Sequence, residues 1–391
     1  MGMRRTVLLL TVAVAMSLSC AGVVLAQQSA APGQGPPEDV IPGQYIVVLE
    51  EGVRDPTAVA REHAQGYGAQ VLHTYQYAIK GYAARIPDQK LERVRADGRV
   101  AYVEADQTMR AEAQALPWGI DKIDADASST QAGNGSGSVS NVNAYVIDSG
   151  IYKHSDLNVV KHVNFTGDGR NRDCYGHGTH VAGTVGAKDN ASDVVGAAPG
   201  APLTGVKVLG CSGSGSNSGV IKGVDWVTAN AVKPAIANMS LSGGLSQALD
   251  DAVRRSATGG VFYSLAAGNQ GADACNYSPA RAGAGTNNGI TTVAATNSSD
   301  GAWSSSNYGP CVDVWAPGAG ILSTKKGGGT TTMSGTSMAA PHAGGGAALY
   351  LSRNTSASPS AVEGALTSSA TTTSTTSKDG AAIVREYVGG F

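Results

Sequence analysis

Ala144-Tyr145-Val146-Ile147-Asp148-Ser149-Gly150 is the stretch whose reading decides the fold. Its apolar run is too short for a helix and does not alternate, so it predicts a strand buried on both faces, with a polar residue at its carboxyl end. The same pattern returns at residues 206–209, 236–240, 261–265 and 291–295, and helical spacing runs through residues 218–229 and 248–257. Strands alternating with helices predict an α/β domain, a mostly parallel sheet covered on both faces with its site at the strand carboxyl ends. The Gly/Ser-rich residues 133–140 read as a surface loop, since apolar patterns resume on either side.

Upstream lies a separate pattern. Residues 45–49, 71–77, 82–86 and 100–103 read as strands, residues 55–65 and 87–96 as helices. The order β-α-β-β-α-β predicts a small α+β ferredoxin-like unit. Before it, Met1-Gly2-Met3-Arg4-Arg5, an apolar run from Val7 to Met16 and Val24-Leu25-Ala26 have the order of a secretory signal peptide. Ser17-Leu18-Ser19 is a poor context for lipidation at Cys20, and residues 7–26 barely reach the length of an uncleaved anchor. The expected organisation is a signal peptide at 1–26, a Gly/Pro/Ala/Gln-rich flexible lead-in at 27–42, the ferredoxin-like unit at 43–110 and the main domain at 111–391. The mature product is expected outside the cell and soluble, because no other stretch approaches about 18 continuous apolar residues.

Composition narrows the function. Among 391 residues, 28 Lys+Arg against 30 Asp+Glu give a net charge of -2, so no basic field exists to hold nucleic acid. Without Cys20 four cysteines remain, Cys174, Cys211, Cys275 and Cys311. In an exported chain they predict two disulfides, with three pairings open. A metal site at Cys174, His177 and His180 is the rival reading; the intervening glycines favour a turn, and a second ligand cluster is missing.

Four segments carry chemistry: Val146-Ile147-Asp148-Ser149-Gly150, Gly176-His177-Gly178-Thr179-His180-Val181-Ala182-Gly183, Ala266-Ala267-Gly268-Asn269 and Gly335-Thr336-Ser337-Met338-Ala339-Ala340-Pro341-His342. A serine hydroxyl becomes a nucleophile when an imidazole takes its proton, and the imidazole needs an anion to fix its tautomer. The serine elbow of lipases and esterases demands the order Ser, acid, His; the last histidine, His342, follows Ser337 by five positions with no acid between, which excludes that arrangement. Asp, His, Ser is the order of another group, and with all four segments in sequence the chain resembles the subtilases, specifically the proteinase K and aqualysin branch.

The resemblance extends from about residue 43 to the C-terminus. It implies a secreted serine endopeptidase, made as a zymogen, that cleaves peptide bonds of proteins with broad specificity. Asp148 would orient the imidazole, His180 would be general base and then acid, Ser337 the nucleophile, and Asn269 with the Ser337 backbone N–H the oxyanion donors. His177, His154 and His342 are expected to be structural, and Pro341 to lie in an early turn of the helix after Ser337. Gly213, Ser214 and Gly215 on one side and Ser240, Leu241, Ser242 and Gly243 on the other would hold an extended peptide, with Ala266, Ala267 and Gly268 lining the first pocket. Ser242 stands where the family more often has Gly, which would narrow that pocket. The ferredoxin-like unit would be an inhibitory prosegment, cut away near Arg110-Ala111. The disulfides would be Cys174–Cys211 and Cys275–Cys311, each closing about 40 residues and contributing roughly 2–4 kcal/mol.

No cofactor is needed for such chemistry. The resemblance implies structural calcium near Ser278-Pro279-Ala280, yet Asn297 stands where its aspartate is expected and residues 281–290 are longer than usual, so a calcium site there is in doubt while other loops could supply one. Gly344-Gly345-Gly346 falls inside the helix after Ser337, where each Gly costs about 1 kcal/mol relative to Ala; close packing or lower stability would follow. Expected partners are polypeptide substrates and the chain's own prosegment, with a monomeric state. A non-catalytic scaffold on the same fold is the rival class.

Overall fold

The computed structural model describes residues 40–107 and 114–391. The signal peptide, most of the lead-in and the expected cleavage site at Arg110-Ala111 lie outside the described residues. The chain divides into two compact units, Met1–Ala111 and Glu112–Phe391.

The first unit runs β1 (Val40–Leu49), α1 (Pro56–Tyr67), β2 (Gln70–Tyr75), β3 (Gly81–Arg85), α2 (Asp88–Arg95), β4 (Val100–Gln107), with strand order β2-β3-β1-β4. α1 starts where the Asp55 side chain accepts the Ala58 N–H at 3.0 Å and stops at Gly68, whose φ of 72° suits a residue without Cβ. β1 begins at Val40, earlier than the lead-in reading allowed. Val40 pairs with Gln107, and a register shift before Tyr45 accommodates Pro42, which has no N–H to give the ladder. Val47, Leu49, Val59, Tyr82, Ile86 and Val94 form the core. His63 is buried with them, its ring nitrogens on Tyr82 Oη and, at 3.0 Å, on Asp97 Oδ2.

The second unit contains α3 (Trp118–Lys122), β5 (Asn143–Asp148), β6 (Val159–Asn164), α4 (His177–Gly186), β7 (Leu203–Lys207), α5 (Asn217–Asn230), β8 (Ala235–Met239), α6 (Gln247–Thr258), β9 (Phe262–Ala266) and β10 (Ile290–Thr296). These are followed by β11 (Val314–Pro317), β12 (Ile321–Thr324), β13 (Thr330–Met333), α7 (Thr336–Arg353), α8 (Pro359–Ser369), β14 (Thr371–Thr376) and β15 (Ala382–Arg385). The nine-stranded sheet has the order β14-β15-β11-β10-β9-β8-β5-β7-β6 and is parallel except for the β14–β15 pair. β5 is inside it, flanked by β7 and β8, and Tyr145, Val146, Ile147 and Asp148 are all buried. The strand expected at 206–209 lies earlier: Leu203 to Lys207 pair with Ala144 to Asp148, and the ladder ends where the Val208 and Leu209 N–H groups both turn to the Asp148 carbonyl. Among the described residues no helix is long and apolar enough to cross a membrane.

The disulfides are Cys174–Cys211 and Cys275–Cys311. The first joins the segment ahead of α4 to the segment after β7. The long connection at 281–290 is held by a distant acid: Glu363 accepts the Asn287 N–H at 2.8 Å and the Gly289 N–H at 2.7 Å, and Arg281 is anchored on Asp250 at 2.6 Å.

Close packing accounts for the glycines in α7. A Cβ on Gly345 would lie 2.5 Å from Ala197 Cβ, and one on Gly346 would lie 2.5 Å from Glu386 Oε1 and 2.7 Å from Val388 Cγ1. Gly344 has ordinary room, its nearest neighbour being 3.6 Å away. Gly345→Ala should therefore cost about 1–3 kcal/mol of unfolding free energy. Gly344→Ala should be neutral or stabilising by up to about 1 kcal/mol. Equal effects at the two positions in denaturant titrations would contradict this packing account.

Glu386 is fully buried and both carboxylate oxygens lack a hydrogen-bond partner. Burial raises its pKa from 4.5 to about 8. The unfolded chain releases this proton near 4.5 while the folded chain keeps it, so the group's contribution falls as pH rises from about 4.5 to about 8 and stays low above. Glu386→Gln removes the titration. Its stability relative to wild type should improve between pH 4 and pH 9 by roughly 3–5 kcal/mol, read from unfolding curves at each pH; a difference independent of pH would refute the assignment.

Candidate active site

The carboxyl ends of the central strands converge with the N-termini of α4 and α7. Asp148, the last residue of β5, is fully buried and accepts the Ser149 N–H at 2.6 Å. His177 opens α4, and its Nδ1–H points at this carboxylate, 2.8 Å from Oδ1 and 3.0 Å from Oδ2. That bond puts the proton on Nδ1 and leaves Nε2 as a base. Burial pulls the imidazolium down, but the charge and hydrogen bond of Asp148 and the charge of Asp173 outweigh it, so His177 titrates above its ordinary 6.5.

His180 is not beside Asp148, and this corrects the expectation that it is the base. It is fully buried within α4, and its Nε2 meets the Ile321 carbonyl at 3.0 Å and the Thr331 carbonyl at 3.1 Å, on β12 and β13. With Nε2–H committed to carbonyls and burial lowering the pKa to about 4, the ring ties a helix to a hairpin. His177, expected to be structural, is the ring that faces Asp148 instead. His154, with Nε2 on the Gly329 carbonyl, and His342, with Nδ1 on the Met338 carbonyl, are packed and bonded away from Asp148. The rival metal reading finds no support in the geometry, since Cys174 is in a disulfide and His177 is on Asp148.

A second buried carboxylate, which the sequence reading missed, organises this corner. Asp173 is 1% exposed and accepts from Ser149 Oγ at 3.0 Å, from the N–H groups of Tyr175, Gly176 and Thr179 at 2.9, 2.8 and 3.0 Å, and from Thr179 Oγ1 at 2.5 Å. It satisfies the open first turn of α4 and ties that turn to the loop after Asp148. The fully buried Lys207 completes the loop, its Nζ donating to the Leu209 carbonyl at 2.9 Å and the Ser149 carbonyl at 3.2 Å. An acid four residues before a helical His was a signal available in the sequence.

Ser337 is the second residue of α7, and its Oγ donates to the Ser240 carbonyl at 3.2 Å. Pro341 is the sixth residue of α7, in its second turn. Four residues after Ser337, it cannot donate to the Ser337 carbonyl, and Ser240 Oγ does so instead at 2.7 Å. Asn269 follows β9, and its Oδ1 accepts from Thr336 N at 2.9 Å and Thr336 Oγ1 at 2.8 Å, while Thr336 Oγ1 accepts the Gly268 N–H at 3.1 Å. With Oδ1 taken, Nδ2 is the end of the amide left for a ligand. Thr336 was also missed, although it adjoins Ser337.

His177, Ser337 and Asn269 line one cleft of about 460 Å³. Gly213, Ser214, Gly215, Ser240, Leu241, Ser242, Gly243, Ala266 and Gly268 line it too. Ala267 does not: it is fully buried against Ala274, Ala280 and Ala294, because successive side chains of an extended segment face opposite ways. A calcium near Asn297 does not fit these residues. Asn297 Oδ1 already accepts the Ser299 and Gly301 N–H groups, each at 3.0 Å, and Asp300 is paired with Lys122 and Arg385.

Residues 140–389 match the family model described as Subtilase family, and residues 44–112 match that described as Peptidase inhibitor I9. An extracellular serine proteinase of Thermus sp. (strain Rt41A) is 44% identical over 73% of this chain and 74% of the relative. Alkaline serine exoprotease A of Vibrio alginolyticus is 44% identical over 66% of this chain, which spans 49% of that protein. The crystal structure of a cold adapted subtilisin-like serine proteinase is similar with 43% identity and a TM-score of 0.62, covering 70% of this chain and 98% of that one. With a buried Asp–His pair and a helix-borne serine lining one cleft, and a family model matched over most of the second unit, the chain belongs to the subtilase family.

Proposed function

We propose that this subtilase is a secreted serine endopeptidase that processes its own prosegment and cleaves extended polypeptides with broad specificity, using Asp148, His177 and Ser337 as its triad. The observation that carries the assignment is the Asp148–His177 bond, which leaves Nε2 basic in the cleft that Ser337 lines. In acylation His177 Nε2 takes the Ser337 Oγ proton as Oγ bonds to the scissile carbonyl carbon. The oxyanion is met by Asn269 Nδ2 and the Ser337 N–H. His177 then protonates the leaving amine, the C–N bond breaks, and water repeats the sequence on the acyl-enzyme. Asp148 stays ionised and stabilises the imidazolium. These side chains and the Ser337 backbone N–H supply the chemistry without a cofactor.

The peptide adds as a strand between residues 212–216 and 240–244, which supplies main-chain affinity with little side-chain discrimination. The I9 segment acts as an intramolecular inhibitor until cleavage near Arg110-Ala111. The mature enzyme works as a monomer.

Intact masses of wild type and Ser337→Ala, each secreted from a protease-deficient host, test the maturation step. Wild type should be shortened near Arg110 and the variant uncut; a full-length wild type would remove the self-processing reading.

The histidine assignment is tested on matured enzyme. His177→Ala should lose kcat by about 10⁴-fold or more. His180→Ala should lose stability, while its folded fraction, counted by titration with a fluorophosphonate, keeps kcat within about tenfold. Because only neutral His177 is a base, kcat/KM in wild type should fall as pH drops through a pKa above 6.5. Asp173→Asn, which removes one of the charges raising that pKa, should move this limb to lower pH. An active His177→Ala would overturn the assignment.

A further inference from the structure

We infer that Asn238 is a positioning residue for the reaction: its side-chain amide aims the Ser240 hydroxyl at the Ser337 carbonyl, and so fixes the direction in which the Ser337 hydroxyl and N–H face the substrate. This rests on the peptidase reading above and adds a residue that acts from behind the cleft.

Asn238 belongs to β8, is fully buried and does not line the cleft. Asn238 and Ser240 are two apart on an extended segment, so they share a face. That face meets α7: a Cβ at Gly344 would lie 3.6 Å from Asn238 Oδ1 and 3.7 Å from Ile236 Cδ1. Asn238 Nδ2 donates to Ser240 Oγ at 2.9 Å, and Ser240 Oγ donates to the Ser337 carbonyl at 2.7 Å. A hydroxyl has one proton. That of Ser240 is committed to the carbonyl, so its other partner must be a donor, which puts the amide nitrogen on Ser240 and Oδ1 on the α7 side.

Pro341 gives this relay its purpose. It has no N–H for the Ser337 carbonyl, and the Ser240 hydroxyl is the substitute. A hydroxyl with no donor to orient it is free to rotate away from that carbonyl. The neighbouring strand makes a similar contact about one turn along α7, where Ser264 Oγ donates to the Ala340 carbonyl at 2.6 Å.

The far end of the amide argues against a role in packing. Oδ1 is buried and has no hydrogen-bond partner. An unpaired buried acceptor is destabilising, and an apolar side chain of similar outline avoids it. A residue that only filled the space between β8 and α7 would have no use for an amide; one that must donate to Ser240 does. The carbonyl, N–H and Oγ of Ser337 all hang from one Cα, so anchoring the carbonyl to the sheet limits where the other two point. A misplacement of about 1 Å is enough to cost roughly 10²-fold in rate.

The test uses matured enzyme, with active sites counted by fluorophosphonate titration so that kcat refers to folded sites. Asn238→Leu keeps the branched outline and removes the donor. Its kcat and its rate of inactivation by the fluorophosphonate should fall together by about tenfold, with KM within about twofold of wild type. Its denaturation midpoint should equal or exceed that of wild type, because the unpaired acceptor is gone. Asn238→Ala should show the same loss of kcat per site with a lower midpoint, and it serves if the leucine does not fold. Ser240→Ala breaks the relay at its next link, and in that background Asn238→Leu should lower kcat by less than about twofold. Wild-type kcat in both Asn238 variants, a loss confined to KM, or a tenfold loss that persists beside Ser240→Ala overturns the inference. If Ser337 does not react with the fluorophosphonate and no peptide is cut, the peptidase reading falls and this assignment with it; cleavage that depends on Ser337 but is indifferent to the Asn238 amide removes this assignment alone.

Discussion

The second unit is arranged around one buried charge. Asp148 ends a strand inside a nine-stranded sheet with no solvent exposure, and an isolated carboxylate there would carry a large desolvation penalty. The His177 imidazole and the Ser149 N–H compensate it. For the imidazole to reach, α4 must start where it does. That start depends on Asp173 gathering the N–H groups of residues 175, 176 and 179, and on the Cys174–Cys211 bond holding the approach. Lys207 and Ser149 close the same network from β7 and from the loop after β5.

The Ser337 end of the cleft uses the complementary device, a helix brought close by the absence of side chains. Gly345 and Gly346 let α7 approach Ala197 and Val388 at distances a methyl would forbid, so a helix of low intrinsic propensity is held by contact instead. Pro341 then removes one helical hydrogen bond next to Ser337. The Ser240 hydroxyl fills the place and locks the start of α7 to the end of β8. Thr336 orients the Asn269 amide from the same turn. Two helix N-termini, each secured by side chains from sheet ends, thus bring together groups far apart in the chain.

Much of this was legible beforehand. Short, mostly apolar runs without alternation, such as 144–147 and 236–240, announced the buried parallel strands because burial on both faces removes alternation. The β-α-β-β-α-β order of the first unit followed from turn residues and periodicity. The short β11 and β15 and the hairpin β12–β13 carried too few residues for a pattern, and β7 was misplaced because Thr204 and Gly205 interrupt its apolar run although both are buried. Asn297 was noticed as a missing acid, and the reason it does not serve as a ligand, two N–H groups of its own turn, is visible only in three dimensions.

The sequence by itself determined the fold class, the family, the identity of Asp148, Ser337 and Asn269 as candidate site residues, and a disulfide pairing implied by resemblance. It led to His180 rather than His177 as the expected base. Both satisfy the order Asp, His, Ser, and three residues on an α-helix differ by only about 60° around the axis and roughly 4.5 Å along it. That small displacement puts one ring at the open end of α4 facing a carboxylate and the other among the carbonyls of β12 and β13. Only the tertiary structure shows which ring faces Asp148, because the partners of each ring nitrogen come from segments about 30 and 140 residues away.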